Sequence, residues 1–260
     1  MDKSVDACAA LFAFKNRKIG KYMMKKIILI IALVFITPAY AETLAQFEQA
    51  LLSYSSKDFY EVNQEIESIV VQKIKQDPAS FSYAFPILQE QYHLRIHFSP
   101  DKRLKFYSFA VGGGGTMGEY SVYVQTQQAG TTSLTPIDSG VVWYVKQTTL
   151  AKQPLYFVQS YYKGSSCVGA YAIHAFKPSK TGGMQAAKVF QTKSAKIDHI
   201  VVDFDCRNHQ DAGEMPNYIR TDKALKYIDI MLLNQLYKPQ NRYLRYGKTD
   251  TAYTYTGVVK

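Results

Sequence analysis

Residues 94–109, Leu-Arg-Ile-His-Phe-Ser-Pro-Asp-Lys-Arg-Leu-Lys-Phe-Tyr-Ser-Phe, mark the point where the sequence changes its hydrophobic period. Before this stretch, apolar residues recur every three to four positions, which is typical of amphipathic helices. From here on they alternate with polar residues, which is typical of strands with one buried face. Ser99, Pro100 and Asp101 are turn-forming residue types, so the stretch predicts a β-hairpin. We therefore expect an α+β protein with its helices first and its strands after them.

On the amino-terminal side of this hairpin, residues 42–92 predict a short helical region. Asp77 and Pro78 predict the end of its longest helix, because proline cannot continue the backbone hydrogen bonds of a helix. Pro86 predicts an interruption or kink in a further short helix.

On the carboxyl-terminal side, residues 93–260 predict an antiparallel β-meander. The connectors are short and rich in turn residues, and no long helical pattern separates successive strands, which disfavours parallel βαβ units. A sandwich, a partial barrel and propeller-like sheets all fit this spacing. We expect residues 42–260 to form one domain. The predicted strands are residues 94–98, 104–109, 120–127, 141–148, 155–162, 168–176, 184–190, 197–204, 218–220, 225–231, 243–246 and 251–255.

Residues 23–41 predict a secretory signal peptide. Two lysines precede ten apolar residues at 27–36, and Ala39 and Ala41 lie where a signal peptidase needs small side chains. Ten apolar residues are too few to span a bilayer, which takes about 20. Residues 1–22 lie upstream of this leader and are interpreted as a non-native extension of the reading frame.

Cleavage after Ala41 predicts a periplasmic protein that is neither lipid-anchored nor an integral membrane protein, since the next residue is Glu42 and not cysteine. The whole chain has 31 Lys and Arg against 21 Asp and Glu. Residues 1–41 hold seven of the basic and two of the acidic residues, so the mature chain carries a net charge of +5. This mild basicity favours an acidic partner, but it does not indicate nucleic acid.

Cys167 and Cys206 are the two cysteines of the predicted mature chain. In an exported protein two cysteines most simply form a disulfide, and this is the expected pairing. Two separately buried thiols are the alternative.

Three segments resemble a group of exported bacterial proteins of unknown function. Residues 97–109 are similar to a strand, an S-P-D-G-K type turn and a Y-S-W strand, residues 112–116 to a G-x-G-G-T loop, and residues 243–248 to the last hairpin of that group. Lys102 replaces the expected turn glycine and Phe109 the expected tryptophan. The resemblance implies an antiparallel β body and no established chemistry, so it provides no catalytic residues.

Residues 203–214 have part of the pattern of a twelve-residue calcium loop. Arg207 and Asn208 depart from it, because the loop needs an oxygen ligand at its fifth position and glycine at its sixth. A solvated acidic turn after a strand is the alternative, so no metal is expected. The residues that would be calcium ligands in such a loop are Asp203, Asp205, Asp211 and Glu214.

His199, Asp203 and Asp205 are predicted to share the exposed face of a strand, since residues of a strand alternate between its two faces. They are the catalytic candidates, as a general base or its partners.

Basic and aromatic residues alternate in the carboxyl-terminal tail, which offers rigid rings for recognition of a partner. Cross-strand packing of the tyrosines is the alternative. The binding candidates are Arg242, Tyr243, Arg245 and Tyr246.

Together these patterns predict a non-enzymatic periplasmic protein without a cofactor that binds another protein or an envelope component. An immunity-type inhibitor of a toxin is one concrete form. A hydrolase of an envelope polymer and a calcium-stabilised envelope module are the alternatives.

Overall fold

The structure, a computed structural model, describes residues 42–56, 59–112, 118–128, 131–180, 182–209 and 217–260. The predicted leader, and Asp211 and Glu214 of the predicted calcium loop, lie outside the described residues. Residues Thr43–Lys260 make up one compact unit.

Three α-helices form the predicted helical region: α1 (Leu44–Leu51), α2 (Phe59–Gln76) and α3 (Pro86–Gln91). Thr43 caps the start of helix α1: its hydroxyl accepts from the Gln46 backbone N–H at 3.2 Å, while the Gln46 side chain accepts from the Thr43 N–H at 3.0 Å. Among the described residues, no helix is both long and apolar enough to cross a membrane.

The two proline predictions in this region differ in outcome. Helix α2 ends at Gln76 as predicted, and Asp77 caps the 3₁₀ turn that follows by accepting from the Ala79 N–H at 3.0 Å. The interruption predicted near Pro86 is present, because the helical stretch divides into the 3₁₀ turn Pro78–Phe81 and α3, but a kink at Pro86 is wrong, because Pro86 is the first residue of α3. Proline is well tolerated there, since the first N–H groups of a helix have no partner within it.

The described strands form three sheets. The first has the order β1 (Arg95–Phe98), β2 (Leu104–Gly112), β3 (Glu119–Gln128), β4 (Thr131–Ile137). The second has the order β11 (His199–Asp205), β7 (Val168–Pro178), β6 (Gln153–Lys163), β5 (Val141–Leu150), and β8 (Met184–Ala186) also pairs with β7. The third has the order β10 (Lys196–Ile197), β9 (Phe190–Gln191), β15 (Tyr253–Val259), β14 (Pro239–Lys248), β13 (Tyr227–Leu233), β12 (Ile219–Thr221).

The α+β class and the antiparallel meander are confirmed. Of the described strand pairs, only β9 with β15 is parallel. Strand β4 was not predicted, and the runs at 184–190 and 197–204 are each divided between two strands.

The sheets bury residues on both of their faces. On β2, Tyr107 packs in the core with the helices, while the adjacent Phe106 packs in a second core that it shares with Tyr156 of β6. On β6, the next residue, Phe157, enters a third core with Tyr253 of β15. Because successive residues of a strand point to opposite faces, this alternation places the second sheet between the first and the third.

The predicted disulfide is confirmed. Cys167 and Cys206 are paired, with their Cα atoms 5.0 Å apart, and the Cys206 N–H donates to the Cys167 carbonyl at 2.8 Å. The bond lies beside the last residue pair of the β7–β11 ladder, Val168 opposite Asp205. It therefore closes one end of that ladder.

A lysine is fully buried between the first sheet and the helical region. The Lys105 ammonium donates to the Ser80 carbonyl at 2.8 Å and to the Tyr83 carbonyl. Its nitrogen lies 4.8–5.6 Å from the centroids of the rings of Phe85, Phe98 and Tyr107. The side chain therefore connects β2 to the segment between α2 and α3.

Candidate functional site

The strongest candidate site is a cleft on the second sheet that is built around two histidines. His174 of β7 lies opposite His199 of β11, and their rings are stacked with centroids 5.2 Å apart. The Tyr162 hydroxyl, on β6, lies 3.3 Å from His174 Nε2. Asp138 and Asp198 lie beside these three side chains. We call these five residues the histidine cleft.

The cleft encloses a cavity of about 220 Å³. Phe176, Ala186 and Val201 supply its apolar wall. Strand alternation puts His174 and Phe176 on this face of β7. Ile173, the residue before His174, points to the other face and packs in the core between the second and third sheets. The cavity therefore combines apolar walls with a few convergent polar groups, which is the usual composition of a ligand site.

His174 is held in its neutral form. Its burial and the neighbouring His199 lower the pKa of the His174 imidazole to about 4, although Asp138 and Asp198 act in the opposite direction. Burial also raises the pKa of the Tyr162 hydroxyl to about 12, and Asp138 adds to this effect. At neutral pH both groups are therefore uncharged, and the hydroxyl and Nε2 can share one proton in a hydrogen bond.

His199 is the exposed member of the pair, with 52% of its side chain accessible to solvent. Its Nδ1 lies 2.6 Å from Asp198 Oδ1, and this hydrogen bond is the main reason why the pKa of the Asp198 carboxyl is lowered. Asp198 thereby fixes the orientation of the ring. No hydrogen bond from a described residue reaches Nε2 of His199.

A larger cavity of about 370 Å³ adjoins the cleft, and Asp138 and Tyr162 line both. Glu119, Tyr120 and Lys163 contribute to the wall of the larger cavity. The Asp138 side chain is exposed, and no described residue donates a hydrogen bond to it or forms an ion pair with it. A carboxylate between two cavities is thus available to a ligand.

The structure does not bring the predicted catalytic triplet together. His199 lies in the cleft, but Asp203 is opposite Ala170 and Asp205 opposite Val168, towards the disulfide end of β11. Four residues of a strand span about 13 Å, so the Asp203 carboxylate is too far along the strand to assist His199. The carboxylate that orients His199 is Asp198.

Of the four calcium candidates, only Asp203 and Asp205 lie among the described residues. Asp205 accepts hydrogen bonds from the Arg207 side chain at 2.9 and 3.1 Å, and Asp203 is exposed on the strand. Among the described residues, no group of three His, Cys, Asp or Glu side chains is arranged to hold a metal ion.

Most of the binding candidates in the tail are packed into the fold. Tyr243 and Tyr246 are buried in the core between the second and third sheets. Arg245 donates to the buried Asp229 carboxylate at 2.8 Å from both Nε and one terminal nitrogen. Arg242 is the exposed member of the four.

Sequence reasoning missed four of the five cleft residues. Nothing in the spacing of Asp138, Tyr162, His174 and Asp198 connects them. The pairing of β6, β7 and β11 positions Tyr162 and the two histidines, and Asp138 and Asp198 join them from positions just outside the paired strands. The only local signal is the adjacent acid and imidazole at positions 198 and 199.

The chain was compared with protein-family models, with curated proteins and with solved structures, and none of them matches it.

Proposed function

We propose that the chain is an exported, non-enzymatic protein that binds its partner in the histidine cleft and the adjoining cavity. The observation that carries this proposal is the position of Asp138. Its carboxylate lines both cavities and has no partner among the described residues. A polar group beside apolar walls gives a ligand both orientation and binding energy.

The cleft favours a ligand that donates hydrogen bonds. His174 and Tyr162 are neutral at neutral pH, and the carboxylates of Asp138 and Asp198 are the charged groups beside them. The rings of the cleft are rigid and give contact area at little cost in conformational entropy. A donor side chain of a toxin would fit this description, and so would a hydroxyl- or amine-bearing envelope component. An immunity-type inhibitor is therefore one form of this proposal.

The test compares retention of envelope material by three purified proteins. Asp138→Ala removes the unpaired carboxylate, whereas Asp203→Ala removes an exposed carboxylate from the same sheet outside the cleft. We expect one component of a periplasmic and envelope extract to be retained by the wild type and by D203A and to be lost from D138A. Equal retention by all three proteins, or by none, would contradict the proposal.

A hydrolase of an envelope polymer is a second candidate function, and the Asp198–His199 pair is the observation that favours it. A carboxylate that orients an imidazole is a common arrangement for a general base. No serine, threonine or cysteine of the described residues lines the smaller cavity, so His199 would activate water as the nucleophile.

This second function is tested by incubating purified peptidoglycan and envelope polysaccharide with the protein. Loss of turnover in His199→Gln, with turnover kept in D203A, would support it. No turnover by the wild type on these polymers would contradict it.

A further inference from the structure

A second cavity lies on the face of the β7–β8 pair that is opposite to the histidine cleft. It is a cavity of about 220 Å³ to which three lysines contribute: Lys177 from β7, Lys188 from the link between β8 and β9, and Lys196 from β10. We call it the lysine cavity. The three lysines come from separate segments, so the fold and not a run of sequence brings them together.

The lysine cavity is distinct from the histidine cleft. On β7, Phe176 lines the cleft and the next residue, Lys177, lines the lysine cavity. On the paired segment, Ala186 and Ala187 divide in the same way. Because successive residues of a strand point to opposite faces, a ligand in one cavity does not touch the other.

The three ammonium groups have no acidic counterpart in the cavity. Each of the lysines is exposed, and none of them lies within 4.0 Å of a carboxylate oxygen of a described residue. Lys196 has one long hydrogen bond, 3.5 Å, to the carbonyl of Thr251. No Asp or Glu of the described residues lines the cavity.

One carboxylate near this cluster is already engaged. Lys188 contributes to lowering the pKa of Asp198, but the main cause is the hydrogen bond of that carboxylate with His199. Asp198 lines the cleft and not the lysine cavity. Three positively charged side chains thus line a cavity that no described carboxylate lines, so an anion in the cavity would be attracted by all three.

We propose that the lysine cavity binds a phosphate-bearing group. Lysine ammonium groups bind phosphate as point charges, and charge-assisted hydrogen bonds of this kind are about twice as strong as neutral ones. A cavity of about 220 Å³ holds a phosphate monoester or the head of an anionic phospholipid. Both sources present the same chemistry, and the experiment separates them.

The experiment uses a triple variant, Lys177→Gln, Lys188→Gln, Lys196→Gln. The matched control is Lys75→Gln, Lys223→Gln, Lys238→Gln, which removes the same three charges from exposed positions elsewhere. Two probes are used at 0.15 M salt, a level on the order of the physiological one: inorganic phosphate in calorimetry, and vesicles of phosphatidylcholine with and without phosphatidylglycerol in co-sedimentation. Thermal unfolding checks that both variants are folded.

We expect the wild type and the control variant to bind a probe equally, and the cavity variant to bind it at least tenfold more weakly. Saturable binding of inorganic phosphate, with a rise in melting temperature, identifies a free phosphate group. Binding only to vesicles with phosphatidylglycerol identifies a lipid headgroup. Equal loss in the cavity and control variants would show general charge attraction and overturn the proposal, as would no binding of either probe by the wild type.

Discussion

The imidazole rings of His174 and His199 are stacked with an interplanar angle of 16°, one buried and the other exposed. Two imidazolium ions at this separation would repel each other, so the pair does not readily take up two protons. The buried ring is the one kept neutral, because desolvation disfavours its charged form most. The effect of the cleft on the pH dependence of folding stability can therefore be predicted.

Replacing His174 should change how stability depends on acidity. The pKa of His174 in the folded chain is about 4, below its ordinary value of 6.5, so the unfolded chain binds more protons between these two values. Neutral His174 therefore makes its full contribution to stability above pH 6.5. As the pH falls towards 4, the free energy of unfolding decreases by up to about 3 kcal/mol.

In His174→Phe this loss should be absent, while His97, whose pKa burial also lowers, contributes equally to both proteins. Urea unfolding at a series of pH values measures the difference. A constant difference between the two proteins from pH 4 to 7 would contradict the assignment.

Replacing Lys105 should alter stability in a more alkaline range. Burial lowers the pKa of Lys105 from 10.5 to about 7 in the folded chain, so the unfolded chain binds more protons between these values. Stability should therefore rise from pH 7 to 9, and this rise should be smaller in Lys105→Met. Chemical unfolding at pH 7, 8 and 9 tests this, and parallel curves for the two proteins would refute it.

Removal of the disulfide should destabilise the fold without changing its topology. Cys167 and Cys206 are 39 positions apart, and closing a loop of this size contributes about 3–4 kcal/mol in the chain-entropy model. The double variant Cys167→Ser, Cys206→Ser should lose this amount in urea unfolding. A reductant should lower the melting temperature of the wild type and leave that of the double variant unchanged. A wild type that does not respond to reductant would argue against the pairing.

Substitution of Asp229, the buried carboxylate of the third sheet, should be among the most destabilising changes. Asp229 is fully buried and accepts from Arg220 at 2.9 Å and from Arg245 at 2.8 Å. Asp229→Asn removes the negative charge that both guanidinium groups share, which should cost about 3 kcal/mol. The cost stays at the low end for a broken buried ion pair because both arginines are partly exposed and Arg220 keeps its hydrogen bond to the Lys260 carbonyl. Arg242→Ala is the control: this residue is exposed on β14, the strand that also carries Arg245, and its loss should change stability by less than about 0.5 kcal/mol. Similar losses in both variants would contradict this account.

The change of hydrophobic period at residues 94–109 was sufficient to predict the order of helices and strands, because burial of one face imposes the period directly. The turn between β1 and β2 was predicted from its residue types, but the conformation of one of its residues was not. Lys102 adopts the left-handed conformation, with φ 59°, at the position where the resemblance led us to expect glycine. Its ammonium lies 5.1 Å from the centroid of the Phe98 ring, a contact that glycine cannot make.

Strand β4 was missed because its sequence, rich in threonine and with Pro136 inside it, has weak apolar alternation. It is the last strand of the first sheet, and an edge strand tolerates a residue without an N–H group. The histidine cleft was missed for a different reason. The pairing of His174 with His199 depends on the register of β7 with β11, and register is a property of the whole sheet.

The Cys167–Cys206 bond and the two stacked imidazoles lie at opposite ends of one ladder of seven residue pairs. If β11 slipped by a single position, every side chain on it would turn to the other face, and His199 would point away from its neighbour. The cystine forbids that displacement. A chain in which these two thiols stay reduced would therefore lack the restraint that keeps the two imidazoles on the same side of the sheet.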